Sequence, residues 1–255
     1  MTFPRIYEFN QYVHWHEANI EEDRGLVDKL SQFRDSLKEK RERLQNLSEL
    51  LSKLNTVLIR AKQTDDQDIS ILKCEILLEE QLIGENYDHI FKSVDSIVDK
   101  LWRKNKDRGE YICLGNIQEE IKDLVRSSVV VSSQSYARDF SQAVKDWKRK
   151  FEINDIPLEN YSDIREIIVE QEAKMASGYF AYHVDVVYDD GMHIEIQIYS
   201  QLNEVWRKLS HKLYEKTRLS ENIEYGHGTS ASRLVSLGHL LHLAECEAER
   251  LQEDL

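Results

Sequence analysis

In Ile194-Glu195-Ile196-Gln197-Ile198 apolar and polar residues alternate, so on a strand the three isoleucines share one face and Glu195, Gln197 and Tyr199 the other. An acidic residue between isoleucines, with an amide two residues on, suggests an open site, although composition alone favours a solvent-facing sheet surface. A second carboxylate, Asp123, lies just before the β-branched run Val129-Val130-Val131, and it approaches Glu195 if the two strands are neighbours. Two carboxylates at the end of a sheet would form a Mg²⁺ site, because hard cations take oxygen ligands and share them with substrate phosphates.

The elements that must position these groups follow from period. Tyr182–Tyr188 and Met192–Ile198 read as two strands joined by Asp189-Asp190-Gly191, a hairpin with a glycine in its loop. Residues 201–217 and 230–252 return to helical spacing. Upstream, Leu26, Leu30, Phe33, Leu37, Leu44, Leu47, Leu51, Leu54 and Leu58 recur in steps of four and three, missing only at Lys40. This predicts one heptad-striped helix over 20–62, broken by Thr64-Asp65-Asp66-Gln67-Asp68. A second helix beginning at Ile69 and running through Leu72, Ile76, Leu82 and Ile83 is expected to fold back on the first, for packing or oligomerisation.

With 34 Lys+Arg against 47 Asp+Glu the chain carries a formal charge of −13, which argues against nucleic-acid binding by the whole surface but leaves room for a local basic pocket. Two prolines and nine glycines in 255 residues exclude collagen-like and Pro/Gly-rich disordered classes. No apolar run approaches a membrane span, so a cytoplasmic protein with no membrane partner is expected. Cys74, Cys113 and Cys246 are read as buried reduced thiols. No phosphate-loop, dinucleotide or nucleophile-elbow motif is present.

Three ordered segments resemble the RelA/SpoT-type (p)ppGpp synthetase domain. They are Gly178-Tyr179-Phe180-Ala181-Tyr182-His183, then Ile194-Glu195-Ile196-Gln197-Ile198, then Trp206 with His211-Lys212-Leu213-Tyr214-Glu215-Lys216. Lys92-Ser93-Val94-Asp95-Ser96-Ile97 and Ile121-Lys122-Asp123-Leu124-Val125 are similar to two further family segments. The resemblance covers about residues 88–250. It implies an α/β fold, a nucleotidyltransferase-like mixed β-sheet flanked by helices over 88–255, preceded by an α-helical hairpin extension over 1–87.

The activity implied is a GTP pyrophosphokinase, which moves the β,γ-pyrophosphate of ATP to the 3′-hydroxyl of GDP or GTP. By the same resemblance Asp123 and Glu195 hold Mg²⁺, and Glu195 also takes the hydroxyl proton. Tyr179 stacks on guanine, and His183 and Gln197 line the acceptor site. Lys92, Ser96 and Lys100 hold donor phosphates, and on a helix they would share one face. Lys174 stands in for a family lysine. Four positions that usually carry arginine in the family hold Ile90, Ser128, Phe180 and Tyr199 here, with Arg126 two residues from Ser128. A hydroxyl or a ring does not replace a bidentate guanidinium, so a silent nucleotide- or partner-binding module is the alternative from another class. A further alternative keeps the enzyme but changes the acceptor, to an adenosine nucleotide or a tRNA 3′ end as in toxin-type relatives. The Trp-and-cation clusters 102–108 and 145–150 would serve that role, against a plainer reading as solvated helix ends. An antitoxin partner and a homo-oligomer built on the heptad stripe complete the expectations.

Overall fold

A computed structural model describes residues 2–64, 72–78, 87–174, 179–217 and 226–254, with the backbone alone at 174, 214, 215, 217, 252 and 253. Helices α1 (Phe9–Asn19), α2 (Leu26–Glu39) and α3 (Arg41–Thr64) lead into a five-stranded mixed sheet. Its strands are β1 (Cys74–Ile76), β2 (Val125–Val131), β3 (Ile164–Lys174), β4 (Tyr179–Tyr188) and β5 (His193–Ser200), in the order β1-β2-β5-β4-β3. The β2–β5 pair is parallel and the other pairs are antiparallel. Between β1 and β2 come α4 (Val94–Asn105) and the single turn α5 (Ile117–Glu120). Helices α6 (Gln134–Lys145) and α7 (Trp147–Ile153) connect β2 to β3, and α8 (Gln201–Thr217) and α9 (Ser230–Asp254) follow the sheet.

The expected mixed sheet with flanking helices is therefore present, and the hairpin forms where the alternation placed it. Gly191 takes the positive φ, 80°, that its tight turn needs, and the flanking Tyr188 amide donates to the Met192 carbonyl at 2.9 Å. One sheet face carries Val125, Val129, Val184, Val186, Ile194, Ile196 and Ile198, all buried. They belong to one hydrophobic cluster with Phe140 and Val144 of α6 and the leucines of α3. The other face is polar and partly covered by α8. Ser93 and Ser133 cap α4 and α6, their hydroxyls accepting from the amides of Ser96 and Tyr136.

The single helix predicted over 20–62 is not formed; α2 ends at Glu39 and α3 begins at Arg41. The interruption falls on Lys40, the residue at which the apolar stripe fails. Its ammonium reaches Asp190 in the β4–β5 turn at 2.6 Å, and Arg43 from the next turn of helix holds Asp190 at 2.8 Å and Asp163 at 2.9 Å. The helix thus breaks where it is tied to the sheet. The second helix expected from Ile69 onward lies partly outside the described residues, and where the chain is described Cys74–Ile76 is an edge strand.

The heptad stripe is also reassigned. Leu26, Leu30, Leu37, Leu44, Leu47, Leu51 and Leu54 are buried within their own chain, so the stripe calls for no second copy. Leu51→Ala is expected to cost about 2–5 kcal/mol, because a side chain only 1% exposed would leave a cavity. Urea unfolding checks this, and a loss under 1 kcal/mol would contradict it.

The three cysteines are free but half-buried rather than buried, Cys74 because its strand is at the sheet edge. His14 and His16 lie on helix α1, where His16 pairs with Asp23 at 2.7 Å in the interior. Among the described residues no helix is long and apolar enough to cross a membrane.

Candidate active site

Strand register assembles one cluster on the polar face. Glu195 of β5 pairs across to Asp185 of β4 and to Arg126 of β2, and Gln197 pairs to His183 and to Ser128. Paired residues share a face, so these six side chains emerge together. Gln197 Nε2 donates to Glu195 Oε1, which also faces His183 Nδ1 at 3.7 Å. His183 Nε2 in turn meets the Tyr179 hydroxyl at 2.9 Å and Glu172 Oε2 at 2.8 Å. Tyr179 lies 5.7 Å from the ring of Trp206, whose indole donates to the Leu234 carbonyl at 2.9 Å and so locks α8 to α9. Burial pushes the Tyr179 phenol up to about 12, against a smaller opposing pull from the Arg207 charge. The residues expected at the acceptor side are thus two hydrogen-bonded pairs, Tyr179 with His183 and Gln197 with Glu195, that face each other across the 3.7 Å between His183 and Glu195.

A second cluster forms at the N-terminal edge of β2. Lys92 Nζ binds one oxygen of Asp123 at 2.7 Å and Lys100 Nζ binds the other at 2.6 Å. The side chains are 14%, 22% and 11% exposed for Lys92, Lys100 and Asp123. Burial raises the Asp123 pKa, but the charge of Lys92 and the hydrogen bond and charge of Lys100 outweigh it and hold the carboxyl well below the usual range. Burial lowers the Lys92 pKa, Asp123 opposes this, and the charges of Lys100 and Arg126 add to the lowering.

Two expectations are corrected here. Lys92 precedes the Ser93 cap and is not on the helix, so Lys92, Ser96 and Lys100 do not share a helical face. The lysines converge on Asp123 because the segment before α4 bridges to β2, with the Lys92 amide donating to the Leu124 carbonyl at 2.9 Å. Ser96 is half-buried and its hydroxyl meets that of the exposed Ser93 at 2.9 Å instead. The backbone of Lys174 ends β3 opposite Tyr179, while its side chain and Gly178 lie outside the described residues.

Asp123 and Glu195 stand in separate networks, and no hydrogen bond or ion pair among the described residues joins them. Nor is any group of three or more His, Cys, Asp or Glu side chains among the described residues arranged to hold a metal ion. The donor set nonetheless suits a hard cation or a ligand donor at one point. Among the described residues, Gln197 Oε1 is buried without a hydrogen-bond partner and no hydrogen bond reaches Glu195 Oε2. At Asp123 a cation would find both oxygens taken until the lysines move.

The family model described as the region found in RelA / SpoT proteins matches residues 90–219, just over half of the chain. The chain belongs to the RelA/SpoT family. The crystal structure of small alarmone synthetase 1 from Bacillus subtilis matches at 21% identity over 89% of this chain and 97% of that one, with a TM-score of 0.52. The same protein bound to its product pppGpp matches at 22% identity over 84% and 94%, TM-score 0.51. Bound to AMPCPP, it matches at 20% identity over 89% and 97%, TM-score 0.51. At these identities the likeness is one of fold. No curated protein matches this sequence significantly.

Within the family fold, two features of the polar face escaped the reading of the residues. Glu170 and Glu172 come from β3, whose run Ile164-Arg165-Glu166-Ile167-Ile168-Val169-Glu170 carries a strand signal in its β-branched residues. Arg207, next to the motif tryptophan, donates to the Ser128 hydroxyl at 2.8 Å and to the Tyr199 hydroxyl at 2.5 Å. No motif marks it.

Proposed function

We propose that the protein is a nucleotide pyrophosphokinase that moves the β,γ-diphosphate of ATP to the ribose 3′-hydroxyl of GDP or GTP. What carries this reading is Glu195, kept on the polar face beside Gln197, His183 and Tyr179, with a carboxylate held between two lysines at the neighbouring strand end. Glu195 takes the hydroxyl proton as the 3′-oxygen attacks the β-phosphorus, and the bond from that phosphorus to the α,β-bridging oxygen breaks to release AMP. Tyr179, with His183 fixing its hydroxyl, seats the acceptor base, and Gln197 orients Glu195 through its amide. Lys92 and Lys100 neutralise Asp123 in the absence of nucleotide and turn to the donor phosphates when these arrive. Asp123, Glu195 and the open oxygen of Gln197 are the groups that would hold Mg²⁺. Bound there, the ion would supply charge neutralisation and alignment of the phosphates.

The tRNA alternative loses its stacking platforms. Trp147 is buried edge-on to Phe151 and Tyr161, and Trp102 donates to the Pro4 carbonyl at 2.9 Å and packs on Tyr7. Both clusters present cations without an available indole, which suits solvated helix ends.

The test is γ-labelled ATP and Mg²⁺ with GDP, GTP, AMP, ADP and bulk tRNA offered separately. Label on GDP or GTP is expected, with the acceptor KM raised about tenfold or more in Tyr179→Ala through loss of one stacked ring. Label on AMP, ADP or tRNA alone would replace the acceptor, and nucleotide binding without transfer to any acceptor would favour the silent module.

A further inference from the structure

Arg126 and Arg207 are half-buried, and among the described residues neither forms an ion pair with a carboxylate. The other half-buried arginines behave differently, since Arg34 pairs with Asp88 and Arg43 with Asp163 and Asp190. In a chain with a net charge of −13, two sheltered guanidinium groups that form no ion pair among the described residues are unusual, even with Glu195 as the cross-strand neighbour of Arg126. They line one cavity, with Ser127, Ser128, Ile90 and an exposed His89. No described lining residue of this cavity is a carboxylate.

Arg207 is held in place rather than loose. Its Nη1 donates to the Ser128 and Tyr199 hydroxyls, which lie on adjacent strands, and its guanidinium carbon stands 4.8 Å from the centre of the Tyr199 ring. Those neutral partners fix the fork while leaving its charge uncompensated, which is how an anion site is pre-organised. Arg126 lies near enough to Lys92 for its charge to bear on that amine. Lys92 and Lys100 at Asp123, and Arg126 and Arg207 on the cavity, thus bring four cations to the same side of β2.

We propose that Arg207, with Arg126, is the phosphate clamp for the donor nucleotide, supplied by helix α8 and by an outward position of β2 where Ser128 and Tyr199 carry no charge. The assignment rests on the pyrophosphokinase reading for the identity of the anion, a nucleoside triphosphate, but the anion site itself does not. Arg207 binds and positions phosphate, and takes no part in proton transfer.

Calorimetric titration with inorganic tripolyphosphate, and separately with ATP, tests it on the full chain. Arg207→Ala and Arg126→Ala are each expected to weaken tripolyphosphate binding by about tenfold or more. Each should also flatten the fall of affinity with salt. Arg207→Lys should recover part of the loss, and Tyr199→Phe, which removes a strut but no charge, should weaken binding less than Arg207→Ala does and keep the parent's salt dependence. Unchanged affinity in Arg207→Ala, or a loss seen only when Lys148, Arg149 and Lys150 are neutralised, would overturn the proposal. Should Arg207→Ala not fold, Arg207→Lys and Arg126→Ala carry the test, and parental affinity and salt dependence in both would overturn it. A parent that transfers no pyrophosphate but loses tripolyphosphate binding in these variants would keep the clamp and remove the enzymatic reading. Normal transfer and binding in Arg207→Ala would do the reverse.

Discussion

Glu195→Gln is expected to lower acceptor-dependent consumption of ATP by roughly 10²–10⁴-fold, the range for removal of a positioned general base. The replacement has nearly the same shape, and it sits on a strand whose alternate residues Ile194, Ile196 and Ile198 are packed on the opposite face. The fold should be unaffected, with an unfolding midpoint close to that of the parent. Nucleotide affinity should change far less than turnover, because the loss falls on a proton transfer made in the transition state. Unchanged turnover would remove Glu195 from the chemistry and leave the polar face as a binding surface.

Asp123→Asn is the second large effect, and it has two readouts. The parent carboxylate is nearly enclosed and bonded through each oxygen to a different lysine. Removing its charge leaves two ammonium groups facing each other without compensation, at a cost of about 3 kcal/mol. The sign of the pH dependence follows from the lowered carboxyl pKa. Because the folded value lies below the usual 3.8, the stabilisation is fully present above that pH and is lost as pH falls below it toward the folded value. The stability gap between parent and variant should therefore be constant from neutral pH to about 4.5 and narrow in stronger acid. Urea titrations across that range check it, and a gap that widens on acidification would contradict the assigned ion pairs. ATP consumption by the variant should fall as well, since the lysines lose the group that orients them.

The alternation around Glu195 and the Asp-Asp-Gly turn were enough to specify β4, β5 and the polar face, because a strand with one buried side leaves a period of two in its sequence. The leucine stripe identified the right buried face but not the break, because the reason for the break is tertiary: Lys40 and Arg43 reach Asp190 and Asp163, which are distant in sequence. The same limit applies to Lys92. Its motif was legible, yet its route to Asp123 depends on a bridge between Phe91 and Val125 rather than on helical spacing. Arg207 was hidden for a third reason. A guanidinium on a helix surface has no sequence mark that distinguishes it from any other exposed cation until the hydroxyls of Ser128 and Tyr199 are seen beneath it. Absent strand arginines and a helix arginine directed at the same place are thus a single observation that only the assembled sheet displays.

The central claim is that the bond broken in ATP lies between the α- and β-phosphates, and the adenosine product reports this directly. With Mg²⁺, ATP and GDP or GTP, chromatography of the adenine nucleotides is expected to show AMP formed in step with a guanosine product gaining two phosphates, and both lost in Glu195→Gln. ADP as the adenosine product, or no change in ATP with any guanosine acceptor, would contradict it.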